Sequence, residues 1–242
     1  MIALSVVFSP DGLRLVTGGR DGKGRVWDSF SGTCLLTLTG HSNNLYHATF
    51  SHDGKRIATA GEDGTVRLWA VADPAHAALL GAPIAPNAGA ITQVAFSPDG
   101  HTLAATGQDK VIREWDVRNP AQPTPRESLV GHTDVVSAVG FSPDGQLLAS
   151  GGTEGIVRLW NTAPGAAESG QPLRGHSGTI RAVVFSSDGR TMATSSDDDS
   201  VMLWDVNIED SIRRICASTQ GVLTPHAWEQ TLSQQSYQPP CP

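Results

Sequence analysis

Cysteine is scarce in this sequence: Cys34, Cys216 and Cys241 are the only three among 242 residues, and they form neither an even set nor a C-x-x-C pair. Neither a disulfide framework nor a zinc site is signalled, and a reducing cytoplasm is the expected setting. Basic charge is also short, with 17 Lys and Arg against 24 Asp and Glu, a net charge of -7 and a pI near 5.5. Nucleic acid and anionic membrane both favour a basic face, so neither is an expected partner. No apolar run approaches the ~18 residues of a membrane span. The apolar opening MIALSVVF is too short for a signal peptide and has no basic segment before it. Aromatics make up only 6%, whereas 26 glycines and 15 prolines are spread along the chain as punctuation for many short strands. The class is all-β, and a chain of this length buries roughly three quarters of its unfolded surface without staples.

What is present is repetition. A phenylalanine followed by a turn recurs at Phe8, Phe50, Phe96, Phe141 and Phe185, and a tryptophan follows each at Trp27, Trp69, Trp115, Trp160 and Trp204, always 19 residues on. The period is 42 to 46 residues. Self-similarity of this length marks a supersecondary unit that cannot bury its apolar faces alone and must stack on its neighbours. Inside a unit the period is two. Thr179, Arg181, Val183 and Phe185 point one way and Ile180, Ala182, Val184 and Ser186 the other, as for a strand packed on both sides. SPDG at 9, 97 and 142, SHDG at 51 and SSDG at 186 supply the fixed φ, side-chain bond and positive φ of a tight turn. A second turn carries an acid six residues before each tryptophan, at Asp21, Asp63, Asp109, Glu154 and Asp198. Length varies only after the tryptophan, in loops such as NPAQPTPRES at 119–128, where insertions face solvent and cost little. No helix is expected between Phe8 and Trp204.

These residues resemble the WD-repeat (WD40) family of β-propellers over residues 2–206. Gly40-His41, Gly131-His132 and Gly175-His176 match the family's Gly-His, and Trp27-Asp28, Trp115-Asp116 and Trp204-Asp205 its Trp-Asp. The resemblance implies a propeller over 1–206, with blades at about 1–40, 41–86, 87–130, 131–175 and 176–206. The fifth blade has no clear outer strand, and the ring is expected to be incomplete or open. A chain that starts partway through a repeat also suggests a fragment of a larger propeller, and unsealed blade faces invite self-association. Residues 207–242 are read as a helical tail. Asn207 caps one helix with Glu209 and Asp210 in its first turn, and a second begins at Thr224-Pro225. This tail resembles the C-termini of bacterial multidomain WD-repeat signalling proteins. Cys216 and Cys241 lie within it, and free thiols are expected there.

Three sets have the composition of a hydrolase triad beside a tryptophan: His41, Thr59 and Asp63 with Trp69; His132, Ser150 and Glu154 with Trp160; His176, Thr194 and Asp198 with Trp204. Threefold copying, the lack of a G-x-S-x-G motif and the mid-strand hydroxyl argue against catalysis. The family resemblance implies a buried chain of hydrogen bonds instead, from indole to hydroxyl to imidazole to acid. Thr17, Asp21 and Trp27 belong to the same network in the first repeat, and Asp109 and Trp115 in the third, where Asn87 and Ala105 replace the histidine and the hydroxyl. Asp197, Asp198 and Asp199 lack the alternation of a calcium loop, so no metal and no cofactor is expected. Lys55-Arg56 is too short for a nucleic-acid patch.

In the family, partners dock on the face holding the second turns. Three positions per blade point there, among them Ala90, Thr92, Gln108 and Ser137; Tyr46 and Arg181 are chosen first as protein-binding residues because Tyr and Arg most often anchor interfaces, with Arg20 and Glu62 next. The expected function is a non-catalytic protein–protein interaction scaffold, the WD-repeat segment of a bacterial signalling or regulatory protein, with other proteins as partners. A propeller enzyme with a site in the central channel and a truncated remnant without independent function are the alternatives. Loss of both middle members of the network predicts that the third blade has the weakest inner edge. Amide exchange should be faster there than in the second and fourth blades, and equal rates would refute it.

Overall fold

A computed structural model describes residues 2–86, 88–163, 165, 168 and 171–206. The tail helices, the Cys216 and Cys241 thiols and Asn87 lie outside the described residues. Five antiparallel sheets follow one another along the chain. The first is β1–β4 (Ala3–Phe8, Arg14–Gly19, Gly24–Asp28, Cys34–Leu38) and the second β5–β8 (Leu45–Phe50, Arg56–Gly61, Val66–Ala70, Ala78–Leu79). The third is β9–β13 (Ile91–Phe96, Thr102–Gly107, Val111–Asp116, Thr124–Pro125, Leu129–Val130), its outer edge built from two short pieces paired with β11. The fourth is β14–β17 (Val136–Phe141, Leu147–Gly152, Ile156–Asn161, Leu173–Arg174), and the fifth stops at three strands, β18–β20 (Ile180–Phe185, Thr191–Ser196, Val201–Asp205). One 3₁₀ turn, Pro74–His76, departs from the helix-free expectation; Asp73 caps it in the loop outside the second sheet.

The turns form as the sequence dictates. In the first, the Ser9 hydroxyl donates to Asp11 and accepts from the Arg14 amide, and Gly12 takes φ 71°, a left-handed value at which a side chain would be strained. The same serine-to-aspartate bond recurs at Ser51, Ser97, Ser142 and Ser186.

The core lies between the sheets rather than within any one of them. Val16 and Val26 of the first sheet pack on Ala48, Ile57 and Trp69 of the second. Leu68 of the second meets Val94, Leu103 and Trp115 of the third, and Ala104 of the third meets Val139, Leu148 and Trp160 of the fourth. Ala149 and Val157 of the fourth meet Val183, Met192 and Trp204 of the fifth. Each innermost strand packs on the next in the order β1, β5, β9, β14, β18, so the sheets are blades fanned about one axis. Packing of that extent joins no described strand of the first blade to one of the fifth, and the ring is open.

Strict alternation fails at one place in every innermost strand. The pairing register skips Leu4, Tyr46, Thr92, Ser137 and Arg181 in turn, a β-bulge at the same position of each blade. Ile180 and Val183, three apart, are therefore both buried, which the period-two reading did not anticipate. Nor is β18 packed on two sides: Val184 is 61% exposed because no described blade follows it, and Val6 is 64% exposed because none precedes it.

Val6 and Val139 occupy the same repeat position, but Val139 is 2% exposed. Val139→Ala should cost roughly 2 kcal/mol in denaturant unfolding, and Val6→Ala should stay within about 0.5 kcal/mol. Equal costs would mean that the first blade's outer face is covered in solution.

Candidate functional site

In the second blade the Trp69 indole N–H donates to the Thr59 hydroxyl at 2.9 Å, and that hydroxyl lies 2.8 Å from His41 Nε2. His41 Nδ1 lies 3.0 Å from both oxygens of Asp63. A hydroxyl that accepts from the indole donates its own proton to Nε2, which leaves the ring proton on Nδ1 facing the carboxylate. The fourth blade repeats this with Trp160, Ser150, His132 and Glu154, and the fifth with Trp204, Thr194, His176 and Asp198. Each hydroxyl is thus held between two partners inside a strand. Leaving either partner unsatisfied costs about 1 to 3 kcal/mol.

The two incomplete sets compensate by another route. Trp27 still donates to Thr17, but Asp21 turns to Arg25 at 2.6 Å; likewise Asp109 pairs with Arg113 at 2.5 Å. An arginine four residues after the acid takes over where no imidazole is found. The buried Trp115 indole has no hydrogen-bond partner among the described residues, as expected from Ala105. Two further hydroxyls escaped the sequence reading: Thr65 and Ser200, two residues after the acid, bond Asp63 and Asp198. The Asp-x-Thr/Ser spacing was the available signal. The fourth blade has Ile156 there, and Glu154 Oε2 is left buried without a partner.

The face chosen for binding is built by the bulges. A bulge re-aims the residue it leaves unpaired, and those residues include Tyr46 and Arg181. Half-buried Tyr46 has its phenol pushed up by burial and by the Glu62 carboxylate; Glu62 also accepts from the Asn44 amide at 2.6 Å. Arg20 acts on the same phenol, so the structure brings Arg20, Tyr46 and Glu62 together. Exposed Arg181 stands three blades away, bound through two nitrogens to Asp197. Other positions expected on this face are consumed internally: Thr92 bonds the Val136 carbonyl, Ser137 the Ile180 carbonyl, both at 2.6 Å, and Ala90 is buried. A small hydroxyl at the bulge ties its blade to the next, a role the sequence reading missed.

The inner strands also line a funnel of about 660 Å³ at the opposite end of the axis, walled by Phe8, Phe50, Phe96, Phe141 and Phe185. Of its lining residues only His52 carries an acid–base side chain. Among the described residues no group of His, Cys, Asp and Glu is arranged to hold a metal, and none of the helices is long and apolar enough to cross a membrane.

Five antiparallel blades fanned about an axis, three of them closed by a Trp–hydroxyl–His–acid chain, define an open β-propeller. The WD domain, G-beta repeat (WD40) profile matches five times, at residues 3–28, 32–70, 83–116, 123–161 and 168–205, and the chain belongs to that family. A 41-residue stretch is 56% identical to the Periodic tryptophan protein 2 homolog of Mus musculus, covering 17% of this chain and 4% of the relative. Stretches of 37 and 38 residues are 49% and 50% identical to the corresponding proteins of Dictyostelium discoideum and Arabidopsis thaliana, again over 4% of each.

Burial holds His41 and His132 below the usual imidazole value, and pushes His47, whose Nδ1 is buried without a partner, down to about 4. All three bind protons more readily unfolded, near pH 6.5, than folded. Their contribution to stability is therefore complete above about pH 6.5 and is lost as pH falls toward 4. The unfolding free energy from denaturant titration should drop between pH 7.5 and pH 5, by about 2 kcal/mol from His47 alone; a value unchanged over that interval would contradict it.

Proposed function

We propose that this chain is a non-catalytic platform for binding other proteins, with its contact face on the bulge side of the blades. The observation that carries this reading is the internal use of every triad-like group. Thr59, Ser150 and Thr194 each sit between an indole and an imidazole, so no hydroxyl is free to attack a substrate. The Trp, hydroxyl, His and acid groups are structural ties, and Asp21, Asp109 and Trp27 belong with them, while Trp115 contributes packing alone. The funnel favours no central-channel enzyme, since its phenylalanine wall holds no acid–base pair.

Tyr46, with Arg20 and Glu62 beside it, and Arg181 on the far blade are the contacts proposed for the partner. A large aromatic ring and a guanidinium carry most of the energy in many interfaces. The resemblance of the tail supports a segment of a larger bacterial signalling protein; the relatives matched are eukaryotic and add nothing to that finer reading. Crosslinking and pull-down from cytoplasmic extract, comparing the wild-type chain with Tyr46→Ala and Arg181→Ala, tests the face. Loss of at least one specific prey, by about tenfold or more, is expected; identical prey sets would refute the face, and an empty wild-type set would favour the remnant reading.

A further inference from the structure

The first blade breaks the repeat at two places on its surface. The residue five after the phenylalanine is Leu13, where the other blades have Lys55, His101, Gln146 and Arg190. The residue three after the tryptophan is Phe30, where the next three blades have Ala72, Arg118 and Ala163. All of these residues are exposed, whether or not a neighbouring blade is present, so a missing neighbour does not account for the change. Leu13 is 53% and Phe30 88% exposed.

The two form a fixed knob. Phe30 tops the turn between β3 and β4, where Asp28 Oδ1 accepts from the Phe30 and Ser31 amides at 3.1 and 2.7 Å and from the Ser31 hydroxyl at 2.8 Å. Leu13 stands beside it, since the Ser29 amide donates to the Leu13 carbonyl at 3.0 Å and the Ser29 hydroxyl to the Gly12 carbonyl at 2.8 Å. An aromatic ring on so rigid a turn loses little freedom when it is buried, which suits it to anchor a contact. Asp11 and Asp28 flank the knob with negative charge. Arg14, next to Leu13, is committed to the second blade, where it staples the Val71 and Gly54 carbonyls at 2.8 and 2.9 Å, as Arg56 does one blade on.

The same chain holds a socket. A cavity of about 560 Å³ lies at the outer edge of the second and third blades, walled by Pro83, Ile84, Pro86, Trp115, Pro123 and Pro125, with Ala85 and Gln122 also lining it. Its walls are tied to the sheets: Ile84 and Val66 exchange both backbone hydrogen bonds at 2.8 Å, and Pro125 is register partner to Trp115. Flat apolar rings of this kind take an aromatic side chain edge-on or stacked. The charged residues of the cavity are Arg113, Glu114 and Arg126. Arg113 is paired with Asp109 and Glu114 is only 5% exposed, so the exposed Arg126 guanidinium, which gives one nitrogen to the Thr102 hydroxyl, is the charge offered to a visitor. Apolar knob and apolar socket thus carry opposite charge beside them.

We propose that Phe30 of one copy seats in this socket of a second copy, with Leu13 against the rim prolines and the Asp11 and Asp28 carboxylates toward Arg126. Knob and socket are different surfaces, so the contact is heterologous, and a dimer keeps one free knob and one free socket to which further copies add. The contact is small and therefore weak and reversible. It does not use the bulge face that carries Tyr46 and Arg181.

The test is analytical ultracentrifugation of the whole chain under reducing conditions, from about 5 to 300 µM, where a contact of this size assembles. Association that grows with concentration is expected. Phe30→Ser, which removes the knob, and Ala85→Trp, which fills the socket, should each weaken it by about tenfold or more. An equimolar mixture of these two variants should form a dimer and nothing larger, because one supplies the socket and the other the knob. Arg126→Glu should weaken association of the otherwise unchanged chain by about fivefold. If Ala85→Trp does not fold, Gln122→Trp takes its place. A wild-type monomer throughout the range, association undiminished by either single variant, a mixture that stays monomeric, or no effect of Arg126→Glu would each overturn the proposal; association that survives Phe30→Ser would assign the contact to the open faces of the first and fifth blades instead.

Discussion

No blade in this protein buries its own faces. A sheet of three to five strands, none longer than six residues, has two apolar sides and no interior, so burial comes only from the contact between one blade and the next. Trp69, Trp115, Trp160 and Trp204 each belong to a cluster shared with the preceding blade. That constraint explains why the two ends differ from the middle. Val6, Phe8, Val201 and Leu203 are repeats of residues buried elsewhere, and they are exposed because the surface that would cover them belongs to no described neighbour.

Polar chemistry is layered on this packing. Apolar contact between blades is not directional, so the register of each blade has to come from groups that are. The Trp–hydroxyl–His–acid chain locks the second turn to the segment entering the innermost strand. Thr92 and Ser137 tie bulge to neighbouring strand, and Arg14 and Arg56 tie the opposite ends. Where one tie is missing another group moves: Arg25 and Arg113 reach acids that have no imidazole. The third blade departs furthest. It lacks the hydroxyl at Ala105 and it alone places a carboxylate, Glu114, in an aliphatic seat, while the arginine is missing from both the third and the fourth blade, at Thr102 and Leu147.

Much of this was legible in the order of residues. The 19-residue interval between phenylalanine and tryptophan located every pair of inner strands and both turns, because length can change only where the chain faces solvent. The three complete networks were readable because histidine, hydroxyl, acid and tryptophan recur at constant offsets. The bulge was not readable. A period-two pattern is the same with or without one unpaired residue until the partner strand supplies the register, so Ile180 and Val183 were assigned to opposite faces. The staples were hidden for a related reason: Arg14 and Arg56 acquire meaning only against the carbonyls of the next blade, 40 and 57 residues from Arg14 along the chain.

The sequence by itself determined the repeating unit, its strands, its turns and the members of its polar chain, since all of these depend on offsets within one copy. The tertiary structure alone decided which faces stay open, which hydroxyls are spent between blades and which carbonyls the arginines Arg14 and Arg56 reach. Those are relations between copies, set by the twist and stacking of whole sheets, and no local pattern of residue types encodes the distance from one blade to the next.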